Sequence, residues 1–213
     1  MSKNNQSTPV YILKIVYPLV VICAVIAILV AGVNMITSPV IKQQQIDARN
    51  AAINELFGSM AKTGAVADAE STDEAFAVPE EYNKEVDAIY PVYDGSVEGE
   101  LLGYCVELSP SGFKGPVNLL AAFDAEGYVV GVKVTNTNDE TADYGTRVAE
   151  ESEGFEAQFK EEKGVKELPA EMNDSFILSG ATKTSKPVAQ SVFTAKKLVS
   201  QIVINKNSAE VTE

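Results

Sequence analysis

Residues 101–135 read LLGYCVELSPSGFKGPVNLLAAFDAEGYVVGVKVT, and the fold is decided in this stretch. Apolar runs at 101–108, 117–123 and 129–135 have the length and the content of strands, and turn residues separate them. Asp124-Ala-Glu-Gly127 has the composition of a hairpin turn and predicts that the last two runs pair antiparallel. A further strand-like run stands upstream at 88–92. Downstream, Phe155 and Phe159 are four apart, which places them on one face of a short helix over 150–163. From Pro187 to about Ile204, Val188, Val192, Ala195, Val199 and Ile202 share a face, so this helix should lie on the sheet. The reading is an α+β domain over 88–204.

The chain ahead of that domain has a different character. Residues 15–35 carry no charge and are mostly Ile, Val, Leu and Ala. About 20 such residues cross a bilayer core as a helix. Pro18 sits near the start of the run, where a helix tolerates it best. A buried core helix is the competing reading, and the length and position favour a transmembrane helix at 15–36. Residues 1–14 would then be the cytoplasmic N-terminus. Ser38-Pro39 has the pattern of a helix start and predicts a connecting helix over 37–58, ending at Gly58. Residues 59–87 are acidic and Ala-rich, as an irregular linker would be. Residues 205–213 read as a C-terminal tail.

Composition excludes several kinds of function. All 30 Asp and Glu and 15 of the 17 Lys and Arg follow the span, a net charge of −15 on the exposed part. A nucleic-acid surface needs clustered positive charge and finds none here. Histidine is absent, which removes Ser-His and Cys-His catalysis and most zinc and haem ligation. Cys23 lies in the span and Cys105 in the domain; two separated thiols hold neither a disulfide nor an iron–sulfur cluster. No metal site is expected, and any electron carrier here has to be organic.

One loop carries chemistry. Leu178-SGATKTSKP-Val188 runs into the last helix. Its small residues let a ligand approach the backbone, a helix N-terminus offers unpaired amides, and Lys183 and Lys186 add positive charge. These features describe a phosphate site, with Thr182, Thr184 and Ser185 as candidate hydroxyls. An ordinary Ser/Thr-rich helix cap has the same local appearance.

Ser179-Gly180-Ala181-Thr182 resembles the flavinylation motif of the FMN-binding domains in the Rnf and Na⁺-translocating NADH:quinone reductase complexes. Glu140-Thr141-Ala-Asp-Tyr-Gly145-Thr146 resembles that family's ETPGLG segment, and Gly112-Phe-Lys-Gly115-Pro its glycine-rich turn before a strand. The resemblance covers the anchor and residues 88–203, and is nearest to the Rnf G subunit. It implies FMN joined through its phosphate to Thr182, with Ser179, Gly180 and Ala181 shaping the loop. It also implies Thr184 and Ser185 on the phosphate, and Glu140, Thr141, Gly145 and Thr146 beside the flavin. Two departures stand out. Phe176 occupies the position where the family has Asp, with Asp174 the nearest carboxylate, and Ala142, Asp143 and Tyr144 replace Pro, Gly and Leu.

From this resemblance follow the expected partners: other membrane and soluble subunits of an Rnf-type complex, a flavin transferase, and the bilayer. The chain would be an electron carrier within an oxidoreductase and translocase complex, without a complete active site of its own. The domain would lie outside the cytoplasm on a single-pass anchor in the cell membrane. Other readings stay open: the matching subunit of a quinone reductase, a free-standing extracytoplasmic flavin protein, or a flavin-free anchored scaffold. Glu140 as a solvated surface carboxylate is the lesser alternative, and Tyr144 could stack on the flavin ring, although an exposed loop tyrosine is the more common outcome.

Overall fold

The computed structural model describes residues 8–63, 66, 78–82, 84–96 and 98–210. The cytoplasmic N-terminus expected at 1–14 therefore falls half outside the described residues, as does about half of the acidic linker expected at 59–87. The chain divides into two compact units, Met1–Ile46 and Asp47–Glu213. In the first unit, helix α1 (Thr8–Phe57) begins, and Leu19, Ile22, Ile26, Leu29 and Val33 are exposed along it. Water would penalise such a surface and a bilayer would not. The helix start expected at Ser38-Pro39 is absent, because α1 runs through Pro39 without interruption.

In the second unit, four antiparallel strands stand in the order β1 (Val86–Tyr93), β2 (Leu101–Leu108), β3 (Asn118–Asp124) and β4 (Val129–Asn136). Asp124–Gly127 forms the expected hairpin turn; the Asp124 carboxylate accepts from the amides of Glu126 (3.0 Å) and Tyr128 (2.8 Å). Alternation along the strands serves two cores. Tyr104, Val106 and Leu108 with Leu119, Ala121 and Phe123 face helix α2 (Thr182–Glu210), meeting its Val188, Val192, Ala195 and Val199. Cys105, Leu120 and Ala122 face the other way, onto Ala52, Ile53 and Phe57 at the end of α1. Coverage of both faces explains why β2 and β3 read as apolar runs rather than as clean alternation.

Two further expectations are corrected. Instead of a helix over 150–163, the chain makes short 3₁₀ turns at Glu151–Glu153 and Ala157–Phe159, divided by Gly154 at φ +63°. Phe155 and Phe159 still enter the core, in edge contact at 5.3 Å. Helix α2 begins at Thr182 rather than Pro187 and continues to Glu210, across much of the expected tail. Pro187 lies inside it, close enough to the start that the lost amide bond falls within the second turn.

Candidate functional site

The first turn of α2 places Thr182 at the rim of a cavity of about 340 Å³. That size is ordinary for a small-molecule site (about 300–1,000 Å³). Gly180, Ala181, Thr182, Lys183 and Thr184 line it from the loop and the start of α2, and Glu140, Thr141, Tyr144 and Gly145 from the 140–145 turn. Phe113, from the β2–β3 connection, closes a third side. Thus Glu140, Thr141, Gly145, Gly180, Ala181, Thr182 and Thr184, picked out from the sequence, all border one cavity. Three other candidates do not border it. Ser179 turns its carbonyl to Arg147, the buried Ser185 hydroxyl accepts from the Leu178 amide (3.0 Å), and Thr146 is half-buried behind the turn.

Glu140 is not a solvated carboxylate. It is 8 % exposed, its Oε2 accepts from the Thr184 hydroxyl (3.0 Å) and its Oε1 from the Lys114 amide (3.2 Å). A methyl group added at Gly112 would sit 2.0 Å from its Oε1, and one at Gly145 would sit 2.1 Å from its Oε2. The two glycines therefore make room for this carboxylate, which bolts together the β2–β3 connection, the 137–145 turn and α2.

The turn itself is wound tightly. The amides of Tyr144, Gly145 and Thr146 all point at the Thr141 carbonyl, at 2.9–3.4 Å. Asp143 has φ +63°, the conformation that explains a glycine at this position in the resembling motif. Asp is among the few side chains that tolerate it. Tyr144 is thereby presented outward, 61 % exposed, at the cavity edge.

The donor set suits an anion joined to a flat, largely apolar group. No acceptor within α2 can reach the amides of Thr182 and Lys183, which therefore remain to bind a ligand. The Lys183 ammonium lies 4.8 Å from the centroid of the Phe113 ring, adding positive charge at the mouth. Thr141 Oγ1 is buried without a hydrogen-bond partner among the described residues. A buried hydroxyl of this kind costs about 1–3 kcal/mol until a ligand meets it. FMN fits these features. Its phosphate suits the helix terminus and its ring system the Phe113–Tyr144 side, while its polar edge can meet the Thr141 hydroxyl. Among the described residues no cluster of side chains could hold a metal ion.

Two residues escaped the sequence reading. Phe113 was visible only as part of a glycine-rich turn, and Arg147 gave no signal, since its contact to Ser179 spans 32 residues. Phe176, at the position of the motif Asp, is buried at 8 %, stacked on Phe159 (5.5 Å) and edge-on to Phe193 (5.1 Å). The departure is a core substitution, while Asp174 is exposed.

Comparison with known proteins bears on the same two parts of the chain. The family described as FMN-binding domain matches residues 112–197, which include the whole cavity lining. The family described as RnfG N-terminal region matches residues 12–56. The chain is 28 % identical over 207 residues to the G subunit of the proton-translocating ferredoxin:NAD(+) oxidoreductase complex of Clostridium ljungdahlii, covering 95 % of this chain and 96 % of that one. It is 29 % identical over 182 residues to the G subunit of the Na(+)-translocating ferredoxin:NAD(+) oxidoreductase complex of Acetobacterium woodii, with 82 % and 84 % covered.

Proposed function

We propose, from the premise that this chain belongs to the family of Rnf complex G subunits, that it carries FMN esterified to Thr182. The chain is a membrane-anchored, FMN-binding electron-transfer subunit of an oxidoreductase complex. The complex proposed is an ion-translocating ferredoxin:NAD⁺ oxidoreductase, and its other subunits are the partners. The match over residues 12–56 to an RnfG region favours this over a quinone reductase.

The observation that carries the covalent reading is the exposed Thr182 hydroxyl at the first residue of α2, on the rim of the cavity. Attachment needs an activated phosphate. The Thr182 Oγ1–P bond forms as the phosphoanhydride of a flavin dinucleotide breaks. A nucleoside monophosphate leaves and the hydroxyl proton passes to solvent. A flavin transferase would supply the catalysis.

Bound FMN supplies the capacity to exchange electrons singly or in pairs. The residues of this chain hold it and shape its access. The α2 amides and Lys183 would neutralise the phosphate, Glu140 would hold the cavity lining through Thr184 and Lys114, and Phe113 and Tyr144 would offer their rings to the flavin. A tether matters outside the cytoplasm, where no FMN pool replaces a lost cofactor. That location is part of the proposal. Lys3 and Lys14 precede the span while Lys42 and Arg49 follow it, so charge alone is nearly balanced. Protease added to right-side-out vesicles should cut the domain; protection there reverses the orientation.

The functional test is ferredoxin-dependent NAD⁺ reduction by membranes holding wild type or Thr182→Ala, with subunits quantified by immunoblot. The variant should assemble and lose activity. An assembled variant with full activity takes the chain off the electron path and makes it a scaffold.

A further inference from the structure

The segment from Glu140 to Arg147 grips the attachment loop at both ends. Glu140 holds Thr184, two residues after Thr182. Arg147 Nη1 donates to the carbonyl of Ser179, three residues before it, at 2.8 Å. The same guanidinium donates from Nε to Glu153 at 2.8 Å, and its Nη2 stands 2.8 Å from the same oxygen. The fork is therefore fixed on two sides, and its plane is aimed at the loop.

Between the grips, Gly180 adopts φ +82°, and a methyl group added there would come within 3.0 Å of Arg147 Nη1. A left-handed residue in a loop rich in small side chains has little of its own to hold it. The Ala181 amide closes the turn onto the Leu178 carbonyl (3.1 Å), and α2 starts at the next residue. The Ser179 carbonyl thus anchors the turn from which Thr182 is set.

We propose that Arg147 is a positioning residue for flavin attachment, holding the Ser179–Gly180 turn so that Thr182 faces the cavity. It does not border the cavity, and its charge is shared with Glu153, so it acts through the loop rather than on the phosphate. This inference rests on Thr182 being the attachment point. A misplacement of about 1 Å in a reacting group can cost on the order of 10²-fold in rate. Loss of Arg147 should therefore slow attachment by roughly 10- to 100-fold. A lysine offers one point charge in place of a fork and should restore only part of the rate.

The test uses full-length, flavin-free protein in detergent, loaded with a flavin dinucleotide by a flavin transferase. Wild type, Arg147→Ala, Arg147→Lys and Thr182→Ala are compared by in-gel flavin fluorescence, and hydrogen exchange is followed over residues 178–186. Arg147→Ala should lower kcat for attachment with KM for the chain little changed, and exchange in the loop should quicken. Arg147→Lys should fall between it and wild type, and thermal midpoints should stay within a few degrees. A wild-type kcat in Arg147→Ala, or a raised KM with unchanged kcat, overturns the positioning role. A Thr182→Ala variant that loads normally instead overturns the attachment point. In that case unchanged loop exchange in Arg147→Ala rejects the clamp independently, and faster exchange supports it.

Discussion

Glu140→Ala isolates the bolt that joins the three walls of the cavity. The change removes two hydrogen bonds to a charged acceptor and leaves the Thr184 hydroxyl, 2 % exposed, without its partner. An unsatisfied buried hydroxyl costs about 1–3 kcal/mol, and a bond to a charged group is worth about 1.5–3 kcal/mol. The losses overlap, since one of the bonds is the one that satisfies Thr184. The void between Gly112 and Gly145 also admits water. A net destabilisation of about 3 kcal/mol follows, which for a chain of this size lowers the thermal midpoint by roughly 6–12 °C. The assay is thermal unfolding of flavin-free protein in detergent, read by near-ultraviolet circular dichroism of the tyrosines. Thr184→Val and the double variant complete a cycle, whose coupling energy should be about 1.5–3 kcal/mol. A midpoint within 1 °C of wild type, or strictly additive effects, would refute the bolt.

Other expectations follow from the core and its charges. Phe176→Ala should cost about 3–5 kcal/mol because it opens the Phe159–Phe176–Phe193 stack. Phe176→Asp, which restores the family residue, should destabilise the domain at least as much, and equilibrium unfolding measures both. Burial pushes the carboxyls of Glu107, Asp124 and Glu156 above their usual range. For a raised acid, the stabilisation is complete below its unfolded pKa and is lost as pH rises through its folded value. The thermal midpoint should therefore rise when pH is lowered from 7 to 5, the direction that the relief of acidic self-repulsion also favours. A midpoint that falls over that interval contradicts this. Asp94, held low chiefly by the Thr63 hydroxyl, acts in the opposite sense and only at more acid pH. The Cys105 thiol is fully buried with its pKa pushed up to about 12, so alkylation near neutral pH should occur only after unfolding.

The strands and most of the cavity were legible in the sequence because their signals are local. Apolar runs between turn residues located β2, β3 and β4 within about two residues, the usual margin for element boundaries. Gly180–Thr182 and the Glu140–Gly145 motif, some forty residues apart, do meet at one cavity, with Ser179 outside it. What failed were local rules that tertiary context overrode. Pro39 and Pro187 each suggested a helix start, yet both lie inside helices. Phe155 and Phe159 had helical spacing, but Gly154 at positive φ divides the segment into short turns that still deliver both rings to the core. The roles of Arg147 and Glu140 could not be read from the sequence, because their partners lie 32 and 44 residues away and no periodicity marks them.

The covalent link itself is the central claim, and peptide mass mapping tests it most directly. The protein is produced with a flavin transferase, denatured and digested, and the peptides covering Ser179 to Lys186 are sequenced by tandem mass spectrometry. The expected result is a mass increase of one FMN less one water, localised to Thr182 and absent from Thr182→Ala. An unmodified Thr182 in fluorescent protein, or the same adduct on Ser179, Thr184 or Ser185, would contradict it.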